Sequence, residues 1–309
     1  LPNGREEYKF LVKASLSKNI SIEKIHHYGL SEVARIQKEK ENIKKLMGFK
    51  GTLKEFDIYL KKRKDLKFSS KKELLETYKK EVKKINTTIM KNYFSETIKN
   101  KCTVEAVPKY NEDFSSEAYY MPGDIDGNRP GKFYINLRDY RDNSRIDVEA
   151  LTLHEANPGH HYQITHNNEQ ERFPLFLKCY NNETYCEGWA LYCENLGDYL
   201  SHESYYGKLN MEMVRALRLV VDTGIHYYGW SFNKTFKVMR KYLFDSDTQI
   251  KNQILRYTAI PSQALSYKIG EKIILDLKRK FNGNIKQFHK KILENGQVPM
   301  IFLEKQFIN

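Results

Sequence analysis

The chain has 309 residues, enough to bury a sizeable core as one large domain or two small ones. Forty per cent hydrophobic residues with only 16 Gly and 8 Pro describe an ordered, helix-rich globular protein. A net charge of +13 raises nucleic acid or an anionic membrane as partners, but the lysines argue against that reading. In "KKRKDLKFSSKKELLETYKKEVKK" (61–84) they alternate with glutamate and apolar residues at helical spacing, the pattern of a solvated helix face.

Residues 1–100 read as a helical N-terminal subdomain. "NISIEKIHHYGLSEVARIQKEKENIKKLMGF" (19–49) has an N-cap in Ser21 and apolar positions three and four apart, and 48–52 is a break before further amphipathic segments. His26 and His27 lack an acidic or histidine partner at ligand spacing and are read as structural. The texture changes over 102–137. There "EAYYM" and "GKFYINL" flank the turn-rich "PGDIDGNRPG", which predicts a β-hairpin with a long loop. From 144 onward helices return. "SRID" predicts an N-cap at Ser144, and the helix it launches carries His154 and Glu155. Helices follow over 183–200, 210–230 (broken at Gly224) and through the C-terminal segments. Residues 101–309 form the expected catalytic region, continuous with the first hundred. The four cysteines contain no C-x-x-C pair, which argues against a cysteine-built zinc site and fits reduced thiols in a cytoplasmic setting. No run is long and apolar enough to span a membrane.

The chemistry concentrates in "LTLHEANPGHHYQI" (151–164). A zinc-peptidase helix places two histidines four residues apart, with a glutamate after the first. Here the residue four after His154 is Pro158. On a straight helix His160, six residues on, is turned about 600° and points away, while His161 regains the face but lies about 10.5 Å along the axis. Pro158 lacks an N–H and its ring clashes with the His154 carbonyl, and Gly159 tolerates unusual backbone. Together they are expected to interrupt the helix and swing His160 back to a shared ion. The third ligand is expected to be Glu187 in "CEGWALYCENLG", with Glu194 behind the histidine as runner-up. Glu155 then faces water as general base.

In order, "LTLHEANPGHHYQ", "YCEGWALYCENLG", "RALRLVVDTGIHYYGW", "RYTAIPSQALSYKIG" and "FHKKILENGQVPMIFLE" resemble the bacterial DUF885 family, as do "LPNGREEYKFLVKAS" and "PGKFYINL". The resemblance, to a family grouped with gluzincin zinc metallopeptidases, implies a mainly α zincin-like catalytic domain with a small antiparallel hairpin or edge strand beside the site. It implies one Zn2+ held by His154, His160 and Glu187, with Glu155 as base. His161 is the alternative second ligand or a substrate contact. The resemblance also implies that Tyr267 and His226 stabilise the oxyanion. Arg256 would clamp a substrate carboxylate, with Arg218 as second choice, or would instead pair with Asp222. "KFYINL" would be the edge strand along which substrate lies, and Asn136 would hold a substrate amide. The implied activity is hydrolysis of short peptides, carboxypeptidase-like. The alternatives are hydrolysis of a non-peptide amide, or a basic interaction module with a non-catalytic metal site. Family members carry a long helical region before "LPNG". The expectation is therefore a fragment partnered by a missing N-terminal half, or a shortened relative with a more open site.

Overall fold

A computed structural model describes residues 3–308. The chain is mainly helical, and its helices begin where the sequence supplies side-chain oxygens for the open N–H groups of the first turn. Helix α1 spans Gly4–Leu16, α2 Ile22–Leu46, α3 Leu53–Lys62, α4 Lys71–Thr87 and α5 Ile89–Tyr93. Ser21 caps α2 through the Lys24 N–H, and Thr52 with Glu55 forms a reciprocal capping box on α3. Three strands follow: β1 Cys102–Ala106, β2 Ala118–Met121 and β3 Gly131–Ile135. The remaining helices are α6 Val148–Glu155, α7 His160–Glu169, α8 Leu175–Cys179, α9 Glu183–Glu194 and α10 His202–His226. After them come α11 Phe232–Tyr242, α12 Asp247–Ala259, α13 Ser266–Lys280, α14 Ile285–Leu293 and α15 Met300–Lys305.

Three local expectations change. Ser144 makes no side-chain cap, and Arg145–Asp147 is a 3-10 turn leading into α6. Helix α10 runs unbroken through Gly224, whose missing Cβ leaves room for the Trp230 ring. The hairpin of β2 and β3 forms, but β1 joins it in parallel, giving the order β1-β3-β2. The "KFYINL" strand is therefore central and has no free edge. The edge strand beside the site is β2, because the Tyr120 N–H points away from β3 and donates to Glu155 Oε2 at 2.8 Å.

The first hundred residues share their cores with the rest. Tyr8, Val12 and Ile25 pack with Trp189, Tyr192 and Leu293, and Val33 and Phe56 pack with Tyr206 and Val220. A third cluster sets Tyr78 and Phe133 under Val148 and Ala156, fixing the sheet against α6. Helices α9 and α13 cross at Gly188 and Gly270, where a Cβ on Gly188 would stand 2.5 Å from the Gly270 Cα. That close approach brings Glu187 and Tyr267, one residue and three residues from the crossing glycines, to the same place. No described helix is long and apolar enough to cross a membrane.

Candidate metal centre

Helix α6 ends at Glu155 and α7 starts at His160, so the histidines stand on two helices joined by a four-residue turn. Gly159 is needed there for close approach and not for a special φ, which is −70°. A Cβ at this position would fall 1.9 Å from the His154 carbonyl oxygen and 2.4 Å from that of Leu153. Only a residue without a side chain lets α7 fold back over the end of α6. The turn is held by Trp189, whose indole N–H donates to the Pro158 carbonyl at 2.8 Å, and by Asn157 Nδ2 on Asn86 Oδ1 at 2.7 Å.

The His154 and His160 rings meet at right angles with centroids 4.8 Å apart. Glu187 Oε2 lies 3.5 Å from Nε2 of each. Two donors sharing one tetrahedral zinc at about 2.0–2.1 Å stand about 3.3–3.4 Å apart, so the spacing fits a common ion. Glu187 Oε2 is also sealed from solvent and has no hydrogen-bond partner. Donor atoms of His154, Glu155 and His160 likewise lie within 4.8 Å of one another. Of the two glutamates, Glu187 is the better third ligand: Glu155 spends Oε2 on the Tyr120 N–H, whereas the Glu187 oxygen is uncommitted.

Behind the donors, Glu194 Oε1 takes the His154 Nδ1–H at 2.8 Å, so that Nε2 is the nitrogen turned toward Glu187. Glu194 is 0% exposed and in turn meets Arg215 Nη2 at 3.6 Å. Burial pulls the His154 pKa down, but Glu187 and Glu194 outweigh it and push it up to about 9. Burial would raise Glu187, yet the His154 and His160 imidazoles beside it hold it well below the usual carboxylate range.

The other expected residues divide. Tyr267 is buried near the cluster, and burial together with the Glu187 charge pushes its phenol up, so it keeps its proton. His226 is otherwise engaged: Nε2 bonds the Tyr257 carbonyl at 2.9 Å and the ring stacks on Tyr8 at 5.2 Å. Through that bond His226 ties α10 to α12. Asn136 donates to the Glu112 and Ser115 carbonyls at 2.8 and 3.3 Å and accepts from the Arg138 N–H at 3.0 Å. Its amide holds the loop and is not offered to substrate.

His161 is buried with Nδ1 3.0 Å from the Tyr120 hydroxyl, and burial pushes its pKa down to about 4. It braces β2, and His160 alone of the pair reaches Glu187. Arg256 is exposed, and its one side-chain hydrogen bond among the described residues goes to Gln263 at 3.3 Å; Asp222 is taken by the Tyr8 hydroxyl and the Ser262 N–H. Sequence reasoning missed the Tyr120 N–H, since a backbone donor leaves no residue signature. It also missed Arg215, although its place one turn before Arg218 was visible.

A helical fold with a two-helix His-Glu-x4-His turn facing a glutamate on a third helix defines a class of candidate metalloproteins. The match to the family described as "Bacterial protein of unknown function (DUF885)" covers residues 2–307, and the chain belongs to that family. A solved structure described as "the putative lipoprotein from Colwellia psychrerythraea" is 33% identical with a TM-score of 0.94, over 99% of this chain and 55% of that one. Another, described as "a putative lipoprotein of unknown function from Shewanella oneidensis", is 19% identical with a TM-score of 0.84, over 98% of this chain and 59% of that one, and shows the fold alone. The chain therefore spans little more than half the length of either. No curated protein matches it.

Proposed function

We propose that this chain is the catalytic part of a zinc-dependent peptidase acting on short peptides, with His154, His160 and Glu187 holding one zinc ion. The observation that carries the reading is the buried, otherwise unpartnered Glu187 oxygen 3.5 Å from both imidazole nitrogens. When bound, zinc supplies Lewis acidity that polarises a carbonyl and acidifies water. Glu155, anchored through Oε2, takes a proton from the attacking water on its free oxygen as the water oxygen bonds to the carbonyl carbon. It then returns that proton to the amine as the C–N bond breaks. Tyr267 donates its phenolic proton in a hydrogen bond to the developing oxyanion. The outer edge of β2, beside Glu155, is where an extended peptide would lie.

The relatives are longer, and we propose that the remainder of such a protein supplies part of the cleft wall. Their lipoprotein descriptions favour a location outside the cytoplasm over the one inferred from free thiols, and fractionation of the whole protein decides it.

Metal analysis and a peptide-library digest test the function. Glu155→Gln keeps its metal and loses about 10²–10⁴-fold in turnover, while His154→Ala and Glu187→Ala lose the metal. Equal metal content in all three variants overturns the ligand set. Zinc bound with no peptide cleaved moves the reading to a non-peptide amide or a non-catalytic site.

A further inference from the structure

We infer that Arg218, rather than Arg256, receives a free carboxylate of the substrate, so that the peptidase reads the C-terminal end of a peptide. This rests on the function proposed above and assigns its substrate class. Arg215 and Arg218 are one turn apart on α10 and differ in what they hold. Arg215 is engaged by Glu194 and by the Met211 carbonyl at 3.0 Å. Arg218 lies with its guanidinium carbon 4.3 Å from the Tyr267 ring centroid, and its Nε reaches the Tyr257 hydroxyl at 3.3 Å. Its Nη1 is sealed from solvent and donates to nothing. Among the described residues no carboxylate lies within ion-pair distance of it.

A guanidinium cannot shed its proton, so a shielded one without a counter-ion is costly unless an anion completes it. Arg218 adjoins the candidate metal centre: it lies over the ring of Tyr267, three residues before Gly270, whose backbone packs on Gly188 beside Glu187. A planar fork of N–H donors matches a carboxylate in two parallel hydrogen bonds. Arg256 stands exposed with one long contact to Gln263, a position suited to attracting an anion rather than fixing it. The carboxylate has two chemical sources, the α-carboxylate of the last residue or an acidic side chain. The α-carboxylate is favoured because it sits a fixed distance from the last peptide bond, whereas an Asp or Glu side chain adds rotors.

The test uses dipeptides with a free C-terminus, the same dipeptides amidated, and amidated ones ending in Glu. Binding to metal-free protein is measured by calorimetry and kcat/KM on zinc-loaded protein. Wild type is expected to favour acid over amide by about ten- to a hundredfold in both measurements. Arg218→Met erases that ratio, Arg218→Lys restores part of it, and Arg256→Met leaves it within a few fold. Equal binding of acid and amide by wild type overturns the inference, as does a ratio that survives Arg218→Met in folded protein. Preference for the amidated Glu peptide over the free C-terminus overturns the main-chain assignment. Cleavage without acid–amide discrimination sinks this inference alone. Acid-selective binding without any cleavage sinks the peptidase reading and leaves the receptor standing.

Discussion

Two buried polar clusters share helix α10, and they differ in how their charges balance. On one face, Lys268 meets Glu212 and Glu271 at 2.6 Å and Glu32 at 2.9 Å. Lys208 meets Glu212 at 2.6 Å, and Arg35 bonds both Glu32 and Glu212. Three cations face three buried anions, with a fourth, the part-exposed Glu39, on Arg35 at the rim, and this knot ties α2, α10 and α13 together. On the other face, Glu155, Glu187 and Glu194 have one guanidinium in contact, that of Arg215. Two of the three carboxylates leave an oxygen buried without a partner. A balanced buried cluster is complete as protein and reads as architecture. One whose three carboxylates meet a single guanidinium and leave two oxygens bare is complete only with a further cation.

The sharpest way to break that contrast is Lys268→Met. It strands Glu271 and removes the central cation from Glu212, at an expected cost of about 3–5 kcal/mol in urea denaturation. Metal content per folded molecule should not change. A small loss of stability accompanied by loss of metal would mean that the two clusters are one.

Asp222 is a third kind of buried acid, fully enclosed with only neutral donors. Burial pushes its pKa up to about 7, against the pull of the Tyr8 hydroxyl at 2.5 Å and the Ser262 N–H at 3.1 Å. Between about pH 4 and 7 the unfolded chain releases this proton while the native state keeps it. The native state therefore binds more protons, and stability falls as pH rises through that window, by up to about 4 kcal/mol, then levels off. Asp222→Asn removes this component of the slope. Denaturation midpoints of both proteins from pH 4.5 to 8 should converge at the acid end and separate above it. Parallel curves would show that Asp222 titrates normally.

Much of this was legible beforehand. Helical periodicity and the cap at Ser21 follow from rules that act within four residues, although the same rule applied at Ser144 names a cap that does not form. The turn between His154 and His160 was readable because Pro158 and Gly159 can do little else there, although what Gly159 contributes is the absence of a side chain. What stayed hidden depends on distant partners. Strand β1 pairs in parallel with β3 across 29 residues of register, as Cys102 with Gly131, and no local turn announces such a pairing. His226, Asn136 and His161 lie in the right motifs, but carbonyls at 257, 112 and 115 and a hydroxyl at 120 consume them. Whether a polar side chain is spent or available is a property of packing, and motif position does not carry it.

Glu194 offers the finest test of the contrast, because it belongs to the metal-facing cluster yet acts only through His154. Glu194→Gln keeps an oxygen for the His154 Nδ1–H but removes the charge that makes the opposite nitrogen a better donor, and it leaves Arg215 without its carboxylate. Zinc affinity, measured by competition with a chromophoric chelator, should fall about 10–100-fold while the fold and the ligand set persist. If affinity is unchanged, the His154 ring is aimed by packing alone and Glu194 serves only to balance Arg215. The carboxylate behind the histidine would then belong with the Lys268 knot, as architecture.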